Sequence, residues 1–437
     1  MSAGALPGFR DFFPDAFAQR AWLFERWRDV ARRFAFVEYD GPPLEPLDLY
    51  TRKSGEEIVG QLYNFEDKGG RAVALRPEMT PTVARMVGAK ANALRKPVRW
   101  FSIPQLFRYE RQQKGRLREH FQLNVDIFGE GDVAADAELL AVACEIMRAC
   151  GLGPDDVVAR VSDRRLLAAL VRAVGIDDAS IGTVFAAVDK IEREPRAALE
   201  KKMTDAGVGA SAAARLLDLV AASDFEALRS DFAGDADVSA ALDRFDAYRQ
   251  LLEALGVRDY LKLDLTIVRG LAYYTGIVFE LFDVKGEFRA VCGGGRYDTL
   301  LSALGGADMP ALGFGMGDVV LGELLKARGK MPSGAPAIDY WVAPVDGTHR
   351  LRAAELATQL RTMGASVEYP LKEQPLGKQF KAANAAGARD VVIVGQGYHD
   401  SAEVELKNLV SGEQRVRAVS ALLEETRARH AGATDRP

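Results

Sequence analysis

Histidine and cysteine, which supply most transition-metal ligands in proteins, are scarce in this 437-residue chain. The histidines are His120, His349, His399 and His430. No two of them have the spacing of metal ligands on one helix. The cysteines are Cys144, Cys150 and Cys292. Their odd number and the lack of a Cys-x-x-Cys pair argue against a zinc knuckle and a disulfide framework.

Long apolar runs and an excess of positive charge are also absent. No window approaches the roughly 20 apolar residues of a membrane-spanning helix. The first six residues lead into polar chain without a signal-peptide pattern, so we expect a cytoplasmic protein. Because the formal net charge is -5, any nucleic-acid partner must be met by local basic patches. The length is sufficient for two or three domains.

Residues 106–130 hold the densest set of reactive side chains, and their pattern predicts a β-hairpin. A polar loop interrupts the segment, and residues 121–128 alternate apolar and polar like a half-buried strand. Many charged hairpins are charged only for solubility. Arginines beside Gln122, Asn124 and Asp126 instead suit a pocket that holds a polyphosphate at one end and a small polar molecule at the other.

Proline-rich segments precede this hairpin. Residues 17–36 have helical periodicity, whereas residues 37–50 contain adjacent prolines and predict either an interface segment or a surface connector. A second, short hairpin then leads into a turn that carries Glu78. A carboxylate at a helix start commonly serves only the helix dipole. The alternative is that Glu78 and the Thr80 hydroxyl bind the ammonium group of a substrate.

Two changes of composition follow the central hairpin. Residues 163–256 are rich in Ala, Leu and Asp and predict a helical insertion within a sheet-based domain. Glycine-rich turns then recur in residues 263–280, 289–298 and 311–318, which indicates backbone packed closely against other groups. The same segments carry Arg269, Tyr273, Tyr274 and Arg296.

The C-terminal part predicts a separate α/β domain. Residues 327–336 have the composition of a linker, and strand and helix patterns alternate across residues 337–430. Residues 431–437 form a short tail.

Taken together, these segments resemble a class II aminoacyl-tRNA synthetase, specifically the histidyl-tRNA synthetase family. Residues 37–50 resemble the first class II motif with its dimer-interface proline, residues 108–126 the second motif, and residues 311–318 the third. Residues 269–274 and 294–298 resemble two signatures of the histidine enzymes. The resemblance spans almost the whole chain.

The resemblance implies an α+β fold with a class II antiparallel-sheet catalytic domain and a C-terminal α/β anticodon-binding domain. The implied parts are a catalytic domain (1–162 and 257–326), a helical insertion (163–256), a linker (327–336), an anticodon-binding domain (337–430) and a flexible tail (431–437). By analogy with the family, the insertion is expected to cover the acceptor stem of tRNA.

The implied function is the ATP-dependent activation of histidine to histidyl-adenylate and transfer of the histidyl group to the 3′ end of tRNA(His). ATP is then a substrate that Mg2+ accompanies, and the active form is a homodimer without a membrane partner. An alternative is a non-catalytic paralogue similar to the regulatory subunit of ATP phosphoribosyltransferase in histidine biosynthesis. Such paralogues generally lack the charged motif 2 loop and the C-terminal domain, both of which this chain retains.

Site residues follow from the resemblance position by position. The implied histidine-binding residues are Glu78, Met79, Thr80, Arg108, Gln122, Asp126, Arg269, Tyr273 and Tyr274. Glu78 and Thr80 match positions that hold the α-ammonium group, and Asp126 and Tyr274 match those that hold the two imidazole nitrogens.

The implied catalytic residues are Arg108 and Arg269. Arg108 grips the α-phosphate and the substrate carboxylate, and Arg269 acts at the α-phosphate in place of a metal ion. The implied ATP-binding residues are Arg108, Glu110, Arg116, Phe121, Gly315 and Gly317. Glu110 is also the candidate protein ligand for Mg2+.

The chain departs from the family pattern at several of these positions. Asp126 stands where bacterial members commonly have glutamate, and Ala272 replaces a usual aspartate. The order His120-Phe121 is reversed, which leaves open which ring stacks on adenine. Val320 occupies the position of an ATP-stacking arginine, so another cation must cover the adenine if ATP binding is unimpaired.

Overall fold

The computed structural model describes residues 4–54, 56–109, 117–269, 273–304, 306–333 and 338–431, with only the backbone for residues 52–54 and 56–58. The chain divides into two compact units, Met1–Ser333 and Gly334–Pro437. Within the described ranges, no helix combines the length and apolar character needed to cross a membrane.

The first unit contains twelve strands and twelve α-helices among its described residues. The strands are β1 (Val37–Glu38), β2 (Leu44–Pro46), β3 (Asn64–Glu66), β4 (Ala72–Leu75), β5 (Val98–Ser102), β6 (Gln105–Phe107), β7 (Glu119–Phe128), β8 (Val157–Asp163), β9 (Leu261–Leu263), β10 (Ile277–Asp283), β11 (Cys292–Arg296) and β12 (Ala311–Gly317). The helices are α1 (Pro14–Arg33), α2 (Asp48–Ser54), α3 (Thr80–Ala89), α4 (Val133–Ala149), α5 (Arg164–Ala173), α6 (Ile181–Val188), α7 (Arg196–Asp205), α8 (Ala210–Ala222), α9 (Phe225–Asp231), α10 (Ala236–Ala254), α11 (Leu300–Ala303) and α12 (Asp318–Ala327).

A nine-stranded sheet organises the first unit. Its order is β1-β5-β7-β12-β11-β10-β8-β9, and β6 pairs with β7 at one side. The six strands from β5 to β8 in this order are antiparallel, whereas β1 and β9 pair in parallel at the two edges. The antiparallel sheet expected from the sequence is therefore confirmed.

The two faces of this sheet differ because side chains alternate along each strand. On β7, Leu123, Val125 and Ile127 are buried in the main core, which α4 and α1 cover. The alternate residues of β7 face the opposite side, called here the front face. The prediction of one strand across residues 121–128 is thus correct. Its alternate side chains point to the hydrophobic core and to the front face.

Six helices, α5 to α10, lie between β8 and β9. They enclose a second hydrophobic cluster that includes Leu170, Leu216 and Val238. Asp163, at the start of α5, accepts a hydrogen bond from the backbone N–H of Arg165, which caps the helix. The helical periodicity read from the sequence is present in these elements.

The second unit is an α/β structure. Its strands are β13 (Tyr340–Pro344), β14 (Val367–Glu368), β15 (Asp390–Val394), β16 (Glu403–Asn408) and β17 (Gln414–Ala418). Its helices are α13 (Arg350–Thr362), α14 (Leu376–Ala385), α15 (Gln396–Asp400) and α16 (Val419–His430). The sheet order is β14-β13-β15-β16-β17. The sequence reading missed β17, an edge strand whose residues are mostly exposed and polar, because such strands lack apolar alternation.

Candidate active site

Glycines on β12 make room for polar side chains on the front face. Gly313 pairs with Asp126 and Gly315 with Asn124 across the β7–β12 ladder. A Cβ atom at Gly315 would lie 1.6 Å from Gln122 Nε2, and one at Gly313 would lie 2.1 Å from Asp126 Oδ1. Any other residue would therefore displace these side chains. The glycine-rich segment predicted to pack closely against other groups does so here.

Arg269 lies over a glycine of the neighbouring strand β11. A Cβ atom at Gly293 would lie 1.6 Å from Arg269 Nη1, and that nitrogen donates a hydrogen bond to Glu280 Oε1 at 2.9 Å. The backbone of Arg269 is left-handed, with φ of 54°, which is uncommon outside glycine. Its guanidinium also lies 5.5 Å from the ring centroid of Tyr274. These contacts hold one cation above the sheet.

Asp126 is fixed by a tyrosine that the resemblance did not single out. The hydroxyl of Tyr297 donates a hydrogen bond to Asp126 Oδ1, and both residues are buried. The Tyr273 ring meets Tyr297 edge-on at 5.8 Å and lies 4.8 Å from Tyr274. Burial, followed by the Asp126 charge, raises the pKa of Tyr297 well above its usual value. The phenol therefore stays a neutral donor to the carboxylate.

The turn with Glu78 lies beside this tyrosine cluster. Burial raises the pKa of Tyr273 well above its usual value, and the neighbouring Tyr274 and Glu78 add to the shift. Arg108 Nε donates to the Pro77 carbonyl at 3.1 Å, so the guanidinium is tied to the same turn. The structure thus brings together Arg108, Glu78 and the tyrosines that the sequence suggested for one pocket.

The buried residue Arg76 connects this turn to the segment that contains Asp40 and Gly41. Arg76 Nη1 donates to Asp40 Oδ1 and to the Gly41 carbonyl, each at 2.7 Å. Met79 has no exposed surface, and its side chain packs beside Arg76. The histidine-binding role suggested for Met79 stays a prediction. Thr80 is partly exposed at the start of α3.

His120 and Phe121 point to opposite faces of β7. The His120 Nε2 atom lies 3.3 Å from Gln122 Oε1 on the front face. The Phe121 ring packs behind the sheet, 5.3 Å from the Phe24 ring of α1. This position argues against the ATP-binding role that the resemblance suggested for Phe121. The sequence could not decide the question because both rings are aromatic and adjacent.

The His120 ring is uncharged at physiological pH. Burial, followed by the positive charge of Arg108, lowers the pKa of His120 from 6.5 to about 4. Its neutral ring can therefore stack on a base without bringing another charge.

Residues 311–318, which resemble the third class II motif, run along β12 into the start of α12. Gly317 is the N-cap of α12, and open space surrounds the position of a Cβ atom there. Val320 packs against the main core behind the sheet. Val320 supplies no cation at this position. The positive charges that act on the His120 ring come from Arg108 and Arg10.

Several predicted positions lie outside the described residues. They are Glu110, Arg116 and Ala272. Among the described residues, no group of three or more His, Cys, Asp or Glu side chains is arranged to hold a metal ion.

Sequence reasoning missed three residues that shape the site: Arg76, Glu280 and Tyr297. Glu280 had a recognisable signal, since it is the only charged residue inside the otherwise apolar run 277–282. Tyr297 lay within a recognised signature, but its partner Asp126 is 171 positions away in the chain. Only the tertiary structure pairs them.

Comparisons with known proteins agree along most of the chain. A family model described as histidyl-tRNA synthetase matches residues 8–317, and one described as anticodon binding domain matches residues 339–429. The histidine--tRNA ligase of Opitutus terrae is 46% identical over 93% of this chain and 94% of its own length. The chloroplastic/mitochondrial histidine--tRNA ligase of Arabidopsis thaliana is 42% identical over 93% of this chain and 83% of its own length.

A solved structure shows the same architecture. The crystal structure of histidyl-tRNA synthetase from Nostoc sp. PCC 7120 matches with a TM-score of 0.85 at 25% identity, covering 98% of this chain and 100% of that one. The antiparallel sheet, its polar front face and the anticodon-type domain define a class II aminoacyl-tRNA synthetase. Within that class, the chain belongs to the histidyl-tRNA synthetase family.

Proposed function

We propose that the front face of the sheet binds histidine and ATP and joins them as histidyl-adenylate. Family membership makes the overall reaction the ligation of histidine to tRNA. The observation that carries the proposal is the convergence of Arg269, Gln122 and Asp126 over the glycines of β11 and β12.

The arginines account for the activation step. The histidine carboxylate attacks the α-phosphate, a new C–O–P linkage forms, and the bond to pyrophosphate breaks. Negative charges approach each other in this step, so fixed guanidinium groups from Arg269 and Arg108 stabilise the transition state more than the separated reactants. A carboxylate is already a nucleophile, and no general base is required.

Specificity for histidine arises from paired polar contacts. Asp126, held by Tyr297, accepts from one imidazole nitrogen, and the Tyr274 hydroxyl contacts the other. Glu78, Thr80 and Gln122 hold the α-ammonium group. An amino acid without the two ring nitrogens would leave buried protein groups unpaired, which excludes it strongly.

The nucleotide end is formed by motifs 2 and 3. His120 stacks on adenine, since it shares the front face with Gln122 and carries no charge. Arg116 reaches the outer phosphates, and Gly315 and Gly317 allow close approach of ATP. Glu110 is the candidate protein ligand for Mg2+, which would neutralise phosphate charge when bound with ATP.

The remaining assignments concern the whole assembly. Residues 1–162 and 257–326 form the catalytic domain, and residues 163–256 form an insertion that covers the acceptor stem of tRNA. Residues 337–430 read the anticodon. A cytoplasmic homodimer is proposed from the motif 1 resemblance, with which the exposed apolar residues Val37 and Leu44 are consistent.

The regulatory alternative has less support. Paralogues of that kind generally lack the anticodon-type domain, whereas a family model for it matches residues 339–429 here.

The decisive experiment is histidine-dependent exchange of pyrophosphate into ATP. We expect exchange in the wild type and a loss of about 100- to 1000-fold in Arg269→Ala, because one transition-state donor is removed. Arg229→Ala is the matched control, since Arg229 pairs with Asp243 on the surface of the insertion. Absence of exchange in the wild type would favour the regulatory function. Full exchange in Arg269→Ala would remove Arg269 from the mechanism.

A further inference from the structure

The first turn of the helical insertion contacts the segment that carries Arg269. Arg164 begins α5, and its Nη1 atom donates a hydrogen bond to the Val268 carbonyl at 2.9 Å. The same nitrogen lies 3.5 Å from the carbonyl oxygen of Arg269. The Arg164 side chain therefore contacts the backbone at the residue proposed to bind the α-phosphate. None of the roles proposed for histidine or ATP uses Arg164.

The same turn of α5 also holds the other end of this segment. The backbone N–H of Arg164 donates a hydrogen bond to the Gly276 carbonyl at 3.1 Å. Arg165 Nε donates to the Thr275 carbonyl at 3.4 Å. The start of the insertion is thus bonded to both ends of residues 268–276, which include the two tyrosines of the site.

The backbone of Arg269 depends on such support. Its φ of 54° is left-handed, and residues other than glycine keep this conformation only where neighbouring contacts fix it. Glu280 holds the guanidinium end of Arg269, whereas Arg164 holds the backbone end. The backbone conformation sets the direction in which a side chain leaves the chain. Loss of the Arg164 contact would therefore displace the Arg269 guanidinium.

The surroundings of Arg164 suit a positioning role. The described contacts of its guanidinium are the two carbonyl groups and the Phe185 ring of α6, whose centroid lies 4.7 Å away. Burial lowers the pKa of Arg164, and the neighbouring Tyr274 opposes this shift. A guanidinium group stays protonated in proteins and donates along fixed directions, so it can fix the peptide groups that accept from it.

We propose that Arg164 is a positioning residue for histidine activation, which holds the left-handed backbone of Arg269 from the first turn of the insertion. The inference rests on the proposed function and adds to it a residue that touches neither substrate. Because Arg164 stacks on Phe185, the packing of α5 on α6 also contributes to the activation step.

The test is histidine-dependent pyrophosphate exchange by full-length Arg164→Met. Methionine keeps a side chain of similar length against Phe185 and removes the hydrogen-bond donors. We expect kcat to fall about 10- to 100-fold, because a displaced Arg269 no longer meets the transition state. The KM for ATP should stay within about threefold, since the proposed Arg269 contact acts mainly in the transition state. Arg172→Met is the matched control, because Arg172 lies on the same helix and pairs with Asp178 at the surface. It should behave as wild type.

A double-mutant cycle separates positioning from a general structural effect. In the Arg269→Ala background, Arg164→Met should lower exchange by less than about twofold further, because the residue through which it acts is already missing. An equal loss in both backgrounds would overturn the inference.

Two other results would also overturn it. They are wild-type exchange by the folded Arg164→Met variant and a loss that appears only in the KM for ATP. Arg164→Leu, which also lacks donors, replaces the methionine variant if circular dichroism shows that the latter is unfolded. Absence of exchange in the wild type is a separate result that rejects the proposed function itself.

Discussion

At the scale of single residues, the site depends on glycines, which have no side chain and therefore leave space for neighbouring residues. Gly293, Gly313 and Gly315 leave space that Arg269, Asp126 and Gln122 occupy. The glycines of β11 and β12 are therefore required by the side chains that cross them. Sequence inspection detected the glycines and their close packing, but it could not identify which side chain lies over each one.

Gly293→Ala should separate this steric role from stability. A Cβ atom there would lie 1.6 Å from Arg269 Nη1, so the guanidinium must move away from the place where we propose that it contacts the α-phosphate. We expect histidine-dependent exchange to fall by about 100-fold or more.

The matched control is Gly322→Ala in α12. A Cβ atom at Gly322 would meet only Met331 Cε, at 3.8 Å, and alanine is the better helix former by about 1 kcal/mol. Exchange should be unchanged there. Equal activity in the two variants would contradict the steric role of Gly293.

At the scale of elements, α4 shows how packing exceeds what periodicity predicts. The spacing of apolar residues across 136–150 predicts an amphipathic helix, and a helix is present as Val133–Ala149. It is buried on nearly all sides because α1 and α10 pack on it in addition to the sheet. Its polar residue Asp136 is consequently buried and must be paired.

The partner of Asp136 ties α4 to the site. Arg296, which is fully buried, bonds to both Asp136 oxygens, with Nη2 to Oδ2 at 2.6 Å and Nε to Oδ1 at 3.1 Å. Arg296 ends β11, the strand whose Gly293 lies under Arg269. The ion pair therefore anchors the floor of the pocket to the core.

Breaking this pair should be costly. Arg296→Ala leaves Asp136 buried without its main partner, and we expect a loss of about 3–5 kcal/mol in the free energy of unfolding. Urea denaturation monitored by circular dichroism measures it.

Arg196→Ala is the control, because Arg196 pairs with Glu200 on an exposed helix face. That variant should lose about 1 kcal/mol or less. Similar losses in the two variants would mean that Arg296 does not anchor the sheet.

At the scale of the whole molecule, the chain forms two compact units with separate hydrophobic cores. Every described residue of the proposed histidine site belongs to the first unit. Ligand binding should therefore stabilise that unit directly.

Calorimetry can test this division. We expect two thermal transitions, of which only one moves to higher temperature on adding histidine. At 100 times the dissociation constant the stabilisation is about 2.7 kcal/mol. Asp126→Ala should abolish the shift, and an equal concentration of alanine should produce none. Equal shifts of both transitions would contradict a site confined to the first unit.

The sequence by itself determined the family, the antiparallel sheet and most elements, because these depend on local periodicity and on motifs of adjacent residues. It also placed Arg269, Gln122 and Asp126 among the candidate residues. Only the tertiary structure decided that His120 faces the site while Phe121 packs on α1. It alone paired Asp126 with Tyr297 and placed Arg164 against the backbone of Arg269. These features join residues from distant segments, and the packing of whole elements brings them together.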